Sequence, residues 1–148
     1  MSNFKKLSHV LYRCKYHILW IPKYRYRVLE GLVKELLLKD IPTLLEWWKS
    51  SEMIELNIQK DHVHLVVSVP PKISISQLMV VLKGKTAIKL FKSYPQLKTK
   101  PYWGNHFWAR GYCVDTIGLD EDKIKKYVKY QEEQERLEEQ QRLDFGPL

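Results

Sequence analysis

The stretch Asp61-His62-Val63-His64-Leu65-Val66-Val67-Ser68-Val69-Pro70 constrains this chain more than any other, because it reads as a buried β-strand that carries two imidazoles. From His64 to Val69 the residues are almost all aliphatic or β-branched, and Pro70-Pro71 ends the run. Side chains alternate faces along a strand, so Val63, Leu65, Val67 and Val69 fill one face while His62 and His64 share the other. Two convergent imidazoles make half of a metal site, since neutral imidazole is a common ligand. The alternative is a pair of histidines bonded to neighbouring polar groups, and the spacing alone does not choose between the two.

The rest of the chain supplies partners for this strand. Residues 11–21 alternate as a second strand, with Tyr12, Cys14, Tyr16, Ile18 and Trp20 on one face and Arg13, Lys15 and His17 on the other. Residues 53–60 alternate again, and a tight Lys60-Asp61 link into the histidine strand predicts a hairpin. The aromatic stretch 106–114 reads as a fourth strand in which Gly111 marks a bulge or a close backbone approach. Helical periodicity runs from 28 to 48 but is interrupted at Asp40-Ile41-Pro42, which predicts either one kinked helix or, preferred here, two helical pieces with Asp40 capping the second. Ser74 or Ser76 caps a helix over 76–93, with Leu78, Val81, Leu82, Ile88, Leu90 and Phe91 towards the core and Lys83, Lys85, Lys89 and Lys92 on the polar face. A last helix is expected from about 119 to 143. This order predicts an α+β fold in a single domain over 1–148: a ferredoxin-like β-α-β-β-α-β antiparallel sheet with helices on one face, plus a C-terminal tyrosine-bearing helix.

Charge points to the partner. The six acids and two arginines of residues 132–148 give that end a net charge of −4, so residues 1–131 carry +12 of the overall +8. A basic body with nine tyrosines and five tryptophans suits a polyanion with stackable bases. In Lys23-Tyr24-Arg25-Tyr26-Arg27 cations and rings interleave, which fits either a nucleic-acid grip or a solvated turn anchored by two tyrosines. Cys14 and Cys113 have no Cys-x-x-Cys spacing, which excludes a zinc ribbon, and two thiols without a signal peptide fit a reducing cytoplasm. No apolar run reaches the roughly 20 residues of a membrane span, so a cytoplasmic location is expected.

In the last helix, three- and four-residue spacing gathers Ile124, Tyr127, Val128 and Gln131 on one stripe. Pressed onto the sheet by Ile124 and Val128, that stripe carries Tyr127 and Gln131 towards whatever the sheet displays. A glutamine amide oxygen can complete a His-His site for Mg²⁺ or Mn²⁺, and a tyrosine one turn earlier can attack the group that the metal polarises. The same spacing recurs in Tyr130 and Gln134 on a solvated stripe, which favours Tyr127. A core-edge tyrosine is the competing reading.

Asp61-His62-Val63-His64 and Ile124-Lys125-Lys126-Tyr127-Val128-Lys129-Tyr130-Gln131 resemble the two signatures of the single-tyrosine HUH transposases, the REP-associated tyrosine transposase superfamily. His17-Ile18-Leu19-Trp20-Ile21-Pro22-Lys23-Tyr24-Arg25 and Phe107-Trp108-Ala109-Arg110-Gly111-Tyr112 are similar to the family's opening strand and to its strand before the tyrosine helix, so the resemblance spans roughly residues 7–134. It implies a DNA-strand transferase acting on single-stranded ends of a small insertion sequence. In that family His62, His64 and Gln131 would hold the divalent metal, and Tyr127 would attack the scissile phosphate to give a 5′-phosphotyrosine and a free 3′-hydroxyl. The resemblance further implies a homodimer, in which one subunit's tyrosine helix serves the other's histidines, and hairpins near the element ends as the recognised DNA. Lys23, Arg25, Arg27, Lys83, Lys85 and Arg110 are the candidates for DNA contact. The acidic stretch Glu132–Glu139 departs from the family pattern. Two other readings compete: a relaxase or replication initiator with the same chemistry, and a ferredoxin-like nucleic-acid-binding protein without catalysis.

Overall fold

A computed structural model describes residues 5–7, 10–12, 14–47, 51–99, 106–116 and 121–145, the side chains of 5–7, 10–12, 121–125, 144 and 145 excepted. In these residues the chain runs β1 (Lys5–Leu7), β2 (Val10–Tyr12), β3 (Lys15–Trp20), α1 (Gly31–Trp47), β4 (Glu52–Gln59), β5 (His62–Ser68), α2 (Ile75–Ser93), β6 (Cys113–Asp115) and α3 (Glu121–Phe145). β1 and β2 pair antiparallel as a two-stranded sheet, and the other strands form an antiparallel sheet in the order β4-β5-β3-β6. This is the expected α+β architecture, with the histidine strand β5 inside the sheet.

Alternation along β5 and β3 divides the molecule into two layers of packing. Val63, Leu65, Val67 and Val69 join Ile18 and Trp20 under α1 and α2, in a core completed by Leu37, Ile41, Leu45, Leu78, Leu82 and Leu90. On the opposite face Leu19, Ile21 and Ala109 pack against Val128 of α3. Helices therefore cover both faces, and α3 lies on the face that carries the histidines. Ser74 is the cap of α2: its Oγ accepts from Gln77 N at 3.1 Å, while Gln77 Oε1 accepts from Ser74 N at 3.4 Å. The two-residue turn Lys60-Asp61 brings Gln59 opposite His62, as a hairpin requires.

Four expectations are corrected. Residues 11–21 are not one strand: β2 pairs with β1, and the sheet strand starts at Lys15 opposite Ser68. Alternation is the same in both pieces, so it does not report the change of partner. Arg13 and the Tyr12 side chain lie outside the described residues. Second, Pro42 sits inside a single helix rather than between two. An interior proline costs about 3 kcal/mol, but Leu37, Ile41 and Leu45 are fully buried on one stripe through the break, and each such side chain contributes about 1.5–3 kcal/mol. Asp40 caps nothing; it is buried and meets Lys89 Nζ of α2 at 3.4 Å.

Third, the strand expected over 106–114 is split at Gly111, whose φ of +79° turns the chain out of extended geometry. Before the glycine, Lys23 N donates to Phe107 O at 2.8 Å and Ala109 N to Ile21 O at 3.0 Å; after it, Cys113 pairs with Leu19. Fourth, Ile88 is exposed, whereas Met79 and Thr86 are buried on the core side of α2. Thr86 fits there because its Oγ1 donates to Leu82 O at 2.5 Å and accepts from Trp108 Nε1 at 3.0 Å. α3 begins at Glu121 among the described residues, and Ile124's side chain lies outside them. No helix of the described residues is long and apolar enough to cross a membrane.

Candidate active site

The register of the sheet sets His64 opposite Leu19 of β3, and Leu19 opposite Cys113 of β6, so the three side chains form a row across the face beneath α3. His62 and His64 are both half-buried on this face. His62 Nδ1 is 2.9 Å from Asp61 Oδ1. A carboxylate on one ring nitrogen fixes the ring and leaves Nε2 as the free donor, as at metal-binding histidines. Asp61 is held in turn, with its Oδ2 3.5 Å from Arg25 Nε. The His64 pKa is lowered, by burial first and then by the neighbouring imidazole of His17, so this ring stays neutral below the ordinary histidine range.

His17 is the site residue that sequence reasoning missed. Its Nδ1 lies 3.3 Å from His64 Nε2, one nitrogen donating and the other accepting, with ring centroids 5.5 Å apart. Strand alternation puts His17 on the face away from the core, but only the register, His17 opposite Val66 and Leu19 opposite His64, makes it a neighbour of the pair.

Tyr127 and Gln131 are on the expected side of α3. Val128 is buried against Leu19, Ile21 and Ala109, and Tyr127 packs at the edge of this cluster beside Cys113. Its hydroxyl is buried and without a hydrogen-bond partner among the described residues. Burial first, and Cys113 second, push the phenol pKa well above the usual tyrosine range, while the Gln131 amide works in the opposite direction. The ring lies at the Cys113 end of the row, two strand spacings or roughly 10 Å from the His64 end. Gln131 Nε2 faces Gly111, where an added Cβ would meet it at 3.5 Å. Among the described residues no hydrogen bond joins Gln131 to His62 or His64, and no group of three or more His, Cys, Asp or Glu side chains forms a metal cage. The oriented His62 and the neutral His64 nevertheless fit a divalent cation in donor chemistry, with the remaining positions left to the glutamine amide and to oxygen ligands.

The basic candidates separate into different environments. Arg27 and Arg110 are exposed. Lys85 is exposed on α2, across the sheet from the histidines. Lys83 is not a free solvent cation: its Nζ donates to Ala109 O at 2.8 Å and Gly111 O at 2.9 Å, tying α2 to the segment that faces Gln131. Burial lowers its pKa to about 8. Lys23 is buried with its ammonium 5.3 Å from the Tyr24 ring centre, and Arg25 Nη1 reaches Glu132 Oε2 at 3.4 Å.

Comparison with known proteins identifies the family and the fold. A family profile described as IS200-like transposase matches residues 10–131, ending on Gln131. The chain is 37% identical over 145 residues to the transposase of insertion sequence element IS200 from Salmonella typhimurium, covering 98% of this chain and 94% of that protein. It is likewise 37% identical over 134 residues to the ISDra2 transposase TnpA of Deinococcus radiodurans, covering 90% and 94%. A crystal structure of a Deinococcus radiodurans transposase superposes with a TM-score of 0.74 at 34% identity, over 86% of this chain and 97% of that one. A REP-associated tyrosine transposase bound to a REP hairpin shares the fold, with a TM-score of 0.51 at 13% identity over 88% of this chain and 70% of that one.

Proposed function

The chain belongs to the IS200-like transposase family, and on that premise we propose that it cuts and rejoins single-stranded DNA at insertion-sequence ends through a phosphotyrosine on Tyr127. The observation that carries this reading is the sharing of one sheet face by the oriented pair His62 and His64 and the helix bearing Tyr127 and Gln131. His62, His64 and Gln131 are the residues to hold Mg²⁺ or Mn²⁺. Such an ion, when bound, polarises a phosphate oxygen and neutralises charge as the phosphorus is attacked.

The chain's own residues account for the remaining steps. Asp61 orients the His62 ring, and burial favours the neutral form of His64, whose ring then offers a lone pair. The Tyr127 oxygen forms a bond to the scissile phosphorus and loses its proton, the bond from phosphorus to the 3′-oxygen breaks, and that oxygen leaves as a hydroxyl after taking up a proton. Rejoining is the reverse: a 3′-hydroxyl attacks the phosphotyrosine and the phenol leaves, so no external energy source is required. The Tyr127 hydroxyl is buried beside Cys113, at the opposite end of the row from His64. The reaction therefore requires α3 to move, and we assign the working form to a homodimer in which the helix of one copy serves the histidines of the other. Arg25, Arg27 and Arg110 are the leading DNA contacts, with hairpins near the element ends as the recognised substrate.

The test is incubation with a single-stranded element end and Mg²⁺ or Mn²⁺. A covalent protein–DNA band on a denaturing gel, absent in Tyr127→Phe and in His64→Ala, is expected. Binding that survives chelation with no adduct under any condition would support a non-catalytic nucleic-acid binder instead.

A further inference from the structure

The turn between β3 and α1 is built to receive an anion, and the acidic end of α3 fills it. Tyr24 and Arg25 both have left-handed backbone, with φ of 56° and 53°, which is uncommon outside glycine. Main-chain N–H groups in such turns make anion-binding concavities. Here the Tyr24 N–H donates to Glu135 Oε2. Lys23, itself 8% exposed, is among the groups that favour the ionised form of Glu135. Arg25 adds a second anion contact through Nη1, 3.4 Å from Glu132 Oε2, while its Nε stays 3.5 Å from Asp61.

The occupant is a poor match for what holds it. Glu135 is 5% exposed, and its Oε1 is buried without a hydrogen-bond partner among the described residues. Burial is the first cause of its raised pKa, ahead of the repulsion from Glu138 and Glu132. A half-satisfied buried carboxylate is easily displaced by an anion that brings more charge and more acceptor oxygens.

We infer that the Lys23–Arg25 turn is a phosphate-binding site for the single-stranded DNA substrate, filled in the DNA-free protein by Glu132 and Glu135 of α3 as carboxylate stand-ins for phosphate. The inference rests on the DNA-strand-transferase reading and adds to it a site and its gate. The gate and the nucleophile share a helix, so a phosphate that displaces the two acids also loosens the helix on which Tyr127 is held. Arg25 links the incoming phosphate, through Asp61, to His62. This gives the acidic stretch a role: it makes the basic turn selective for a ligand able to compete with it.

The experiment measures anisotropy of 5′-fluorescein-labelled dT20 with the full chain. Glu132→Gln/Glu135→Gln should bind about tenfold more tightly than wild type. Its plot of log Kd against log salt should steepen by roughly 0.7, the contribution of one further phosphate on a single strand. The control Glu35→Gln/Glu133→Gln removes the same charge from exposed positions and should stay within about twofold of wild type. Arg25→Gln should weaken binding by itself and should also remove most of the gain in the Glu132→Gln/Glu135→Gln background. Equal tightening by the control, or none by the test pair with its circular dichroism intact, overturns the gate. If the test pair does not fold, hydrogen exchange on wild type decides. Adding dT20 should speed exchange of amides 132–140 and slow that of 23–26, whereas unchanged protection in both overturns it. Loss of all dT20 binding in wild type removes the parent reading as well, and is distinguished by that alone.

Discussion

Asp61→Ala is the substitution whose effect can be worked most directly from the geometry. The carboxylate accepts from the His62 imidazole at 2.9 Å, and its other oxygen lies 3.5 Å from Arg25 Nε. A hydrogen bond of this charge-assisted kind contributes about 1.5–3 kcal/mol. The Asp61 and His62 side chains are 24% and 18% exposed, so some solvent screening applies and the lower part of that range is appropriate. About 1.5–2 kcal/mol corresponds to roughly 10- to 30-fold in an equilibrium constant, which lies within the roughly 10- to 100-fold known for partners of metal-bound histidines. The readout is Mn²⁺ affinity itself, followed by the paramagnetic resonance signal of the free ion as protein is titrated in. Asp61→Ala should raise the Mn²⁺ dissociation constant by about 10- to 30-fold with its melting temperature close to wild type, and Asp61→Asn, which keeps an acceptor, should lose less. An Asp61→Ala dissociation constant within twofold of wild type would refute the assignment of His62 as an oriented ligand.

Further outcomes follow from other parts of the molecule. Lys83 has a pKa near 8 in the fold against 10.5 for the unperturbed amine, so below about pH 8 folding carries the full cost of a buried charge. That cost disappears as pH rises towards 10.5, and the NMR titration of Lys83 Cε should have its midpoint near 8; a midpoint above 10 contradicts the burial. Gly111→Ala forces a Cβ into φ +79°, at a cost of about 1–2 kcal/mol or a Tm lower by roughly 2–8 °C. Since the new Cβ meets Gln131 Nε2 only at contact distance, an unchanged Tm would mean that the backbone relaxes out of this conformation. Mixing Tyr127→Phe with His64→Ala should restore adduct formation to about a quarter of the wild-type level, because half of the re-formed dimers hold one intact composite site of two. No recovery would assign Tyr127 to the histidines of its own chain.

Much of this arrangement could be read from side-chain patterning. Period-two alternation put His62 and His64 together and opposite Val63 and Leu65, and helical spacing put Tyr127, Val128 and Gln131 on the sheet-facing side of the last helix. What escaped depended on which strand pairs with which, or on long side chains that reach past their own element. His17 needed the β3–β5 register, and the break before Lys15 needed the partner exchange with β1. Lys83 looked like part of a solvated lysine face, yet its stem reaches carbonyls at Ala109 and Gly111. Pro42 carried a correct local penalty that the burial around it outweighs. The role of the acidic end of α3 also escaped, because nothing in its own residues reveals the left-handed turn at Tyr24 that it fills.

The central claim is that Tyr127 is the nucleophile, and peptide mapping of the covalent complex tests it most directly. After reaction with a single-stranded element end and Mn²⁺, proteolysis and mass spectrometry should find the nucleotide on the peptide containing Tyr127, attached through a 5′-phosphate and absent in Tyr127→Phe. A nucleotide on Tyr130 or Tyr24, or an adduct that persists in Tyr127→Phe, would contradict it.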